Sequence, residues 1–162
     1  MPVFVLSIKV DLENVSSLAP KTQSVWVIDA KNGQSDETRR GVTISAGDDF
    51  EIEGSRGTAN LIIKFADAKE KSTCRILSSD DKKLKKLKLR AVTDDNWTPF
   101  LAMEARGMDV LKVDLGDNFV AASTEGTIFD VDLSDGDWAD YDEPNDLPVS
   151  VTNAITKVEV LR

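Results

Sequence analysis

The chain has 162 residues, a net charge of −9, no histidine and a single cysteine. Such acidity repels polyanions, so nucleic acid and anionic membrane surfaces are not expected partners. The length suits two small halves sharing one core, and one cysteine permits no internal disulfide and fits a reducing, cytoplasmic compartment.

In chain order, Met1 to Lys9 lacks a basic leading region and reads as a first strand, not a signal peptide. Val3 to Asp11 alternates as a strand, and Leu12 to Pro20 is turn-rich. Ser24 to Ala30 reads as a buried strand, and Asn32-Gly33 is a hairpin signal. Gln34 to Arg40 is polar loop, and Val42 to Ile44 resumes a strand. Strands are then expected at Phe50 to Glu53, around Leu61-Ile62-Ile63 and at Thr73 to Leu77.

Ser78 to Lys83 marks the junction of the halves, taken as 1–80 and 81–162 of one compact domain. Leu84 to Val92 alternates leucines with lysines and reads as an amphipathic edge strand. Phe100 to Arg106 and Val110 to Leu115 are strands. Ser134 to Pro148 is an acidic loop carrying Trp138 and Tyr141, and Val149 to Leu161 closes the chain as a strand. No stretch approaches membrane-spanning length. The expected fold is all-β, with two pseudo-symmetric half-domains in a sandwich-like or barrel-like arrangement.

One motif occurs twice. Gly47-Asp48-Asp49-Phe50 leads to Gly57-Thr58, and Gly116-Asp117-Asn118-Phe119 leads to Gly126-Thr127 at the same spacing. The repeat proposes an internal duplication in which Phe50 and Phe119 are equivalent and buried. A weaker echo relates Val10-Asp11-Leu12-Glu13-Asn14-Val15 to Met103-Glu104-Ala105-Arg106-Gly107-Met108.

Catalytic equipment is sparse. Without histidine there is no Ser-His or Cys-His pair and no histidine metal site. Cys74 alternates with Ser72 and Ile76 and reads as core filler. Gly54-Ser55-Arg56-Gly57 is too short for a phosphate loop of Walker type. The acidic stretch Asp130 to Asp146 fails the EF-hand pattern.

Several stretches together resemble a known family. They are Leu12-Glu13-Asn14-Val15 with Pro20, Gly54-Ser55-Arg56-Gly57-Thr58-Ala59, Ile76-Leu77-Ser78-Ser79, Glu104-Ala105-Arg106-Gly107 and Asp137-Trp138-Ala139-Asp140-Tyr141-Asp142-Glu143. Their order and spacing resemble the eukaryotic CXXC-motif-containing zinc-binding protein family. The resemblance implies a two-half all-β fold, no known enzymatic activity, and two Cys-x-x-Cys pairs on neighbouring hairpins holding one zinc ion. Here those pairs are expected to fall on Ala30, Gly33, Phe65 and Ala68, so no zinc or other cofactor is expected. The reading is a non-catalytic cytoplasmic scaffold binding an unknown protein, with Trp138, Tyr141 and Arg56 as candidate contacts and no catalytic residues. The alternative is a small-molecule or metal-handling module with a cleft between the halves. An enzyme working through carboxylates alone is the third reading.

Overall fold

Two single-residue bends organise the molecule, described here for residues 1–161 of a computed structural model. Strand β1 (Val3–Glu13) bends at Asn14, with φ of 53°, into β2 (Val15–Pro20). Then come β3 (Val25–Asn32), β4 (Thr38–Ser45), β5 (Phe50–Glu51), β6 (Thr58–Ala59), β7 (Leu61–Ile63) and β8 (Ser72–Ile76). Strand β9 (Thr98–Arg106) bends at Gly107, with φ of 80°, into β10 (Met108–Asp114). The chain ends with β11 (Phe119–Ser123), β12 (Ile128–Val131), β13 (Trp138–Asp142) and β14 (Leu147–Leu161). The left-handed backbone suits glycine and asparagine best. At Gly107 a Cβ would lie 2.7 Å from the Ser72 hydroxyl, so glycine is required there. Asn14 is anchored by its amide, which donates to the Pro148 carbonyl at 2.7 Å.

The strand order is a palindrome. β1 and β9 run antiparallel at the centre of a six-stranded sheet ordered β13-β14-β1-β9-β8-β7. Past the bends, β2 joins β11 and β12 in one three-stranded sheet, and β10 joins β3 and β4 in another. Even the register repeats. Cys74 is paired with Leu61 and Ala105, and Val151 with Trp138 and Leu12. Each pseudo-symmetric unit therefore takes its long bent strand from one part of the chain and its two hairpins from the other. The weak echo matches this symmetry, since it aligns Asn14 with Gly107.

The stronger repeat is not. Phe119 is fully buried, where its ring meets Trp26 and Phe100 with centroids 5.7 Å away. Its neighbour Asn118 accepts from Val25 N at 3.2 Å and donates to the Val25 and Leu115 carbonyls, stapling two sheets. Phe50 is 48% exposed, on a separate two-stranded ribbon, β5–β6. The expected equivalence of Phe50 and Phe119 is thus overturned. A Gly-Asp turn followed by a strand is a local solution, and local chemistry does not decide which sheet the strand joins.

Four assignments also change. Part of the turn-rich stretch is strand β2, and β4 begins inside the supposed loop at Thr38. The acidic loop contains the edge strand β13, of whose two acids Asp140 is exposed and Asp142 is buried. The expected edge strand Leu84 to Val92 is irregular, opening with a 3-10 turn at Lys82–Leu84. Leu84, Leu87 and Leu89 instead cover Val3, Val5, Leu77 and Ala102 on the outer face of the large sheet. An apolar sheet face needed a lid, and lidding it satisfies the leucines better than an edge would. The main core fills the space between the sheets, from Phe4, Leu6 and Ile8 to Val149 and Val151.

Candidate functional site

Two tight turns face each other in the region where the resemblance places the two Cys-x-x-Cys pairs. At the end of β3 the chain turns through Asn32-Gly33-Gln34-Ser35, with Ser35 N donating to the Asn32 carbonyl at 3.4 Å. Opposite, Phe65-Ala66-Asp67-Ala68 turns with Ala68 N donating to the Phe65 carbonyl at 3.2 Å. The Asn32 side-chain amide donates to Asp67 Oδ1 at 2.6 Å and closes the gap. Asn32 Oδ1 also accepts from Gln34 N at 3.0 Å. The Glu37 carboxylate accepts from Ala66 N at 3.0 Å and Asp67 N at 3.1 Å. Hydrogen bonding, from Ser35 first, holds the Asp67 carboxyl below its ordinary value against desolvation.

This geometry moves the first pair of lost ligand positions. A Cys-x-x-Cys knuckle needs its two thiolates at the ends of one tight turn. Ala30 lies inside β3, fully buried and paired with Val110 and Arg39. The residues facing Phe65 and Ala68 are therefore Asn32 and Ser35, two places beyond Ala30 and Gly33. The alternating strand pattern hides this shift, because only the turn hydrogen bond fixes where the strand stops. The chemistry stays the same: an amide, a hydroxyl, a phenyl ring and a methyl group do not make a thiolate zinc site. Phe65 is fully buried, with the Arg39 guanidinium 5.6 Å from its ring centroid. Among the described residues no group of three or more Cys, His, Asp and Glu could hold a metal ion.

The second unit has a counterpart that is closed without metal. Ser123 pairs with Val15 just past the first bend, as Asn32 pairs with Met108 just past the second. Asp142 is only 1% exposed and accepts from Ser123 Oγ at 2.8 Å and Thr127 Oγ1 at 2.9 Å. Asn145 Nδ2 donates to both its oxygens, at 3.2 and 3.0 Å. Burial pushes the Asp142 carboxyl up, but hydrogen bonds from Ser123, Asn145 and Thr127 outweigh it and hold the group below its ordinary value.

Of the candidate contacts, Trp138 is half-buried, its ring edge-on to Phe129 at 5.5 Å. Tyr141 is 43% exposed and its hydroxyl donates to Asp146. Arg56 is exposed at the turn of the β5–β6 ribbon, far in the chain from both. The structure does not gather the three into one site. It adds Phe50, which shares the ribbon with Arg56 and was read as core. Cys74 is buried, and desolvation raises its thiol to about 12, which leaves it without nucleophilic character.

Beneath the ribbon lies a groove of about 780 Å³. Its floor is the outer face of β7, β8 and β9, presenting Lys64, Thr73, Arg75, Glu104 and Arg106, and its roof is Glu51 to Ala59. Glu104 is 8% exposed and ion-paired to Arg75 at 3.6 Å and to Lys83.

Known proteins share this architecture. A solved structure of a hypothetical protein from Plasmodium falciparum superposes with a TM-score of 0.87, at 29% identity over 98% of this chain and 100% of that one. The CXXC motif containing zinc binding protein of Bos taurus is 30% identical over 142 residues, covering 85% of this chain and 86% of that protein. Its Homo sapiens namesake is also 30% identical over 142 residues, with the same coverage. The profile of the family described as CXXC motif containing zinc binding protein, eukaryotic, matches residues 5–159, and the chain belongs to that family.

Proposed function

We propose that this chain is a non-catalytic, cytoplasmic interaction scaffold that works without zinc. The observation that carries the reading is the β5–β6 ribbon, which presents a half-exposed Phe50 together with Arg56 outside every packed sheet. Aromatic residues and arginine are enriched in protein interfaces, and the ribbon presents one of each. The zinc-free part rests on the Asn32–Asp67 closure and the absence of thiolates at the four knuckle positions. The non-catalytic part rests on the buried Cys74 and the lack of histidine. Trp138 serves the fold of the second unit, and Tyr141 is the secondary contact.

The test is quantitative affinity capture from native lysate in the presence of chelator, comparing wild type with Phe50→Ala/Arg56→Ala. We expect defined partners retained by wild type under chelation and lost from the variant, whose melting temperature stays close to wild type. Capture abolished by chelator, or identical for the two proteins, overturns the reading.

A further inference from the structure

We propose that the groove beneath the β5–β6 ribbon binds a small phosphate-bearing anion, with Arg106 as its principal partner and Lys69 as the second. This goes beyond the scaffold reading and stands or falls separately from it.

The groove inverts the charge of the molecule. Six cations line it (Lys64, Lys69, Lys71, Arg75, Lys83 and Arg106) against Glu51, Glu53, Glu70 and Glu104, a surplus of two. The whole chain carries −9, so the surface outside the groove carries −9 minus 2, or −11. A long polyanion leaving the groove would meet that field at once, whereas a small one confined to the groove would not. The volume, about 780 Å³, suits a small ligand.

The cations are not equivalent. Glu104 occupies Arg75 and Lys83, and Glu53 lies 3.6 Å from Lys71. The Lys64 ammonium donates to the Phe65 and Ala68 carbonyls. Among the described residues Arg106 and Lys69 have no ion pair, and both are exposed. Arg106 lies two residues after Glu104, hence on the same sheet face, and pairs directly with Thr73, whose hydroxyl is a neutral donor beside it. A planar guanidinium offers paired donors to phosphate oxygens, and the surplus of two charges matches a phosphate dianion. The buried Glu104 pairs brace the floor, so Arg106 stands on a rigid strand, and Lys69 comes from the turn between β7 and β8.

The test is calorimetric titration of the intact protein with inorganic phosphate and tripolyphosphate, with citrate and polyglutamate as carboxylate probes. We expect one tripolyphosphate per chain, with affinity weakened roughly tenfold or more in Arg106→Gln and in Lys69→Gln, each losing one charge-assisted contact. Lys157→Gln, whose ammonium lies 4.6 Å from the Trp97 ring centroid outside the groove, should bind as wild type. No phosphate binding, equal affinity in all variants, citrate as tight as tripolyphosphate, or polyglutamate tighter than either overturns the proposal. If Arg106→Gln fails to fold, Lys69→Gln on its exposed turn decides alone.

Discussion

Asp67 and Asp142 hold corresponding turns of the two units in different ways. Asp142 is sealed from water and receives hydrogen bonds from Ser123, Thr127 and Asn145. Asp67 is exposed, and its turn is tied by one short side-chain bond from Asn32 and by the Glu37 carboxylate over the backbone amides. A buried carboxylate survives only with its lone pairs matched, so the second closure is a complete polar network. The first closure competes with water and leans on Phe65 for its stability. The first closure thus replaces metal ligation with the Asn32–Asp67 bond, the Glu37 carboxylate over two backbone amides and one apolar plug.

The largest expected effect comes from making the two closures differ still more. Asn32→Cys, Ser35→Cys, Phe65→Cys and Ala68→Cys together should create a site for one zinc ion, with a binding free energy on the order of 10 kcal/mol. Metal analysis and a chelator-sensitive melting temperature would check this. The same experiment with Ala30 and Gly33 in place of Asn32 and Ser35 should yield no stoichiometric zinc. If that second set binds zinc instead, the turn assignment is wrong.

The next effect separates true from apparent equivalence. Phe119→Ala removes one ring of the aromatic triad and should cost roughly 3–5 kcal/mol in urea unfolding. Phe50→Ala should stay within about 0.5 kcal/mol of wild type. Comparable losses from both would restore Phe50 to the core.

The bends come third. Gly107→Ala forces a Cβ against Ser72 at positive φ and should cost roughly 1–3 kcal/mol. Asn14→Gly should cost less, because the backbone is unstrained and only the bond to Pro148 is lost. A Gly107→Ala variant as stable as wild type would break the argument that this bend needs glycine.

The smallest effect is a pH signature. The Asp142 carboxyl titrates below its ordinary value of 3.8, so its ionised form favours the folded state. That contribution is complete above the unfolded value and is lost as pH falls through the lower folded value. The stability gap between wild type and Asp142→Asn should therefore be constant near neutrality and shrink on acidification. A gap that widens as pH falls would contradict the hydrogen-bond network. Asp67→Asn, on an exposed turn, should show a smaller gap throughout.

Alternation and turn residues made the all-β class legible from the sequence, because a period of two and a Gly or Asn turn are local facts. The missing sulfurs were equally plain, since no fold can supply a thiolate that the chain lacks. The knuckle positions were legible only to within two residues, as strand register is set by the partner strand and not by the strand itself. What only the tertiary structure decided is which strands meet. The repeat ending in Phe50 and Phe119 is locally the same, but one copy is stapled to β3 by Asn118 and the other hangs on a ribbon. The lysines of Leu84 to Val92 alternate as on an edge strand, but Val3, Val5 and Ala102 needed covering and drew the leucines inward. The cationic groove was invisible for the same reason. Arg75 lies far in the chain from Glu104 and Arg106, and only the pairing of β8 with β9 brings the three to one face.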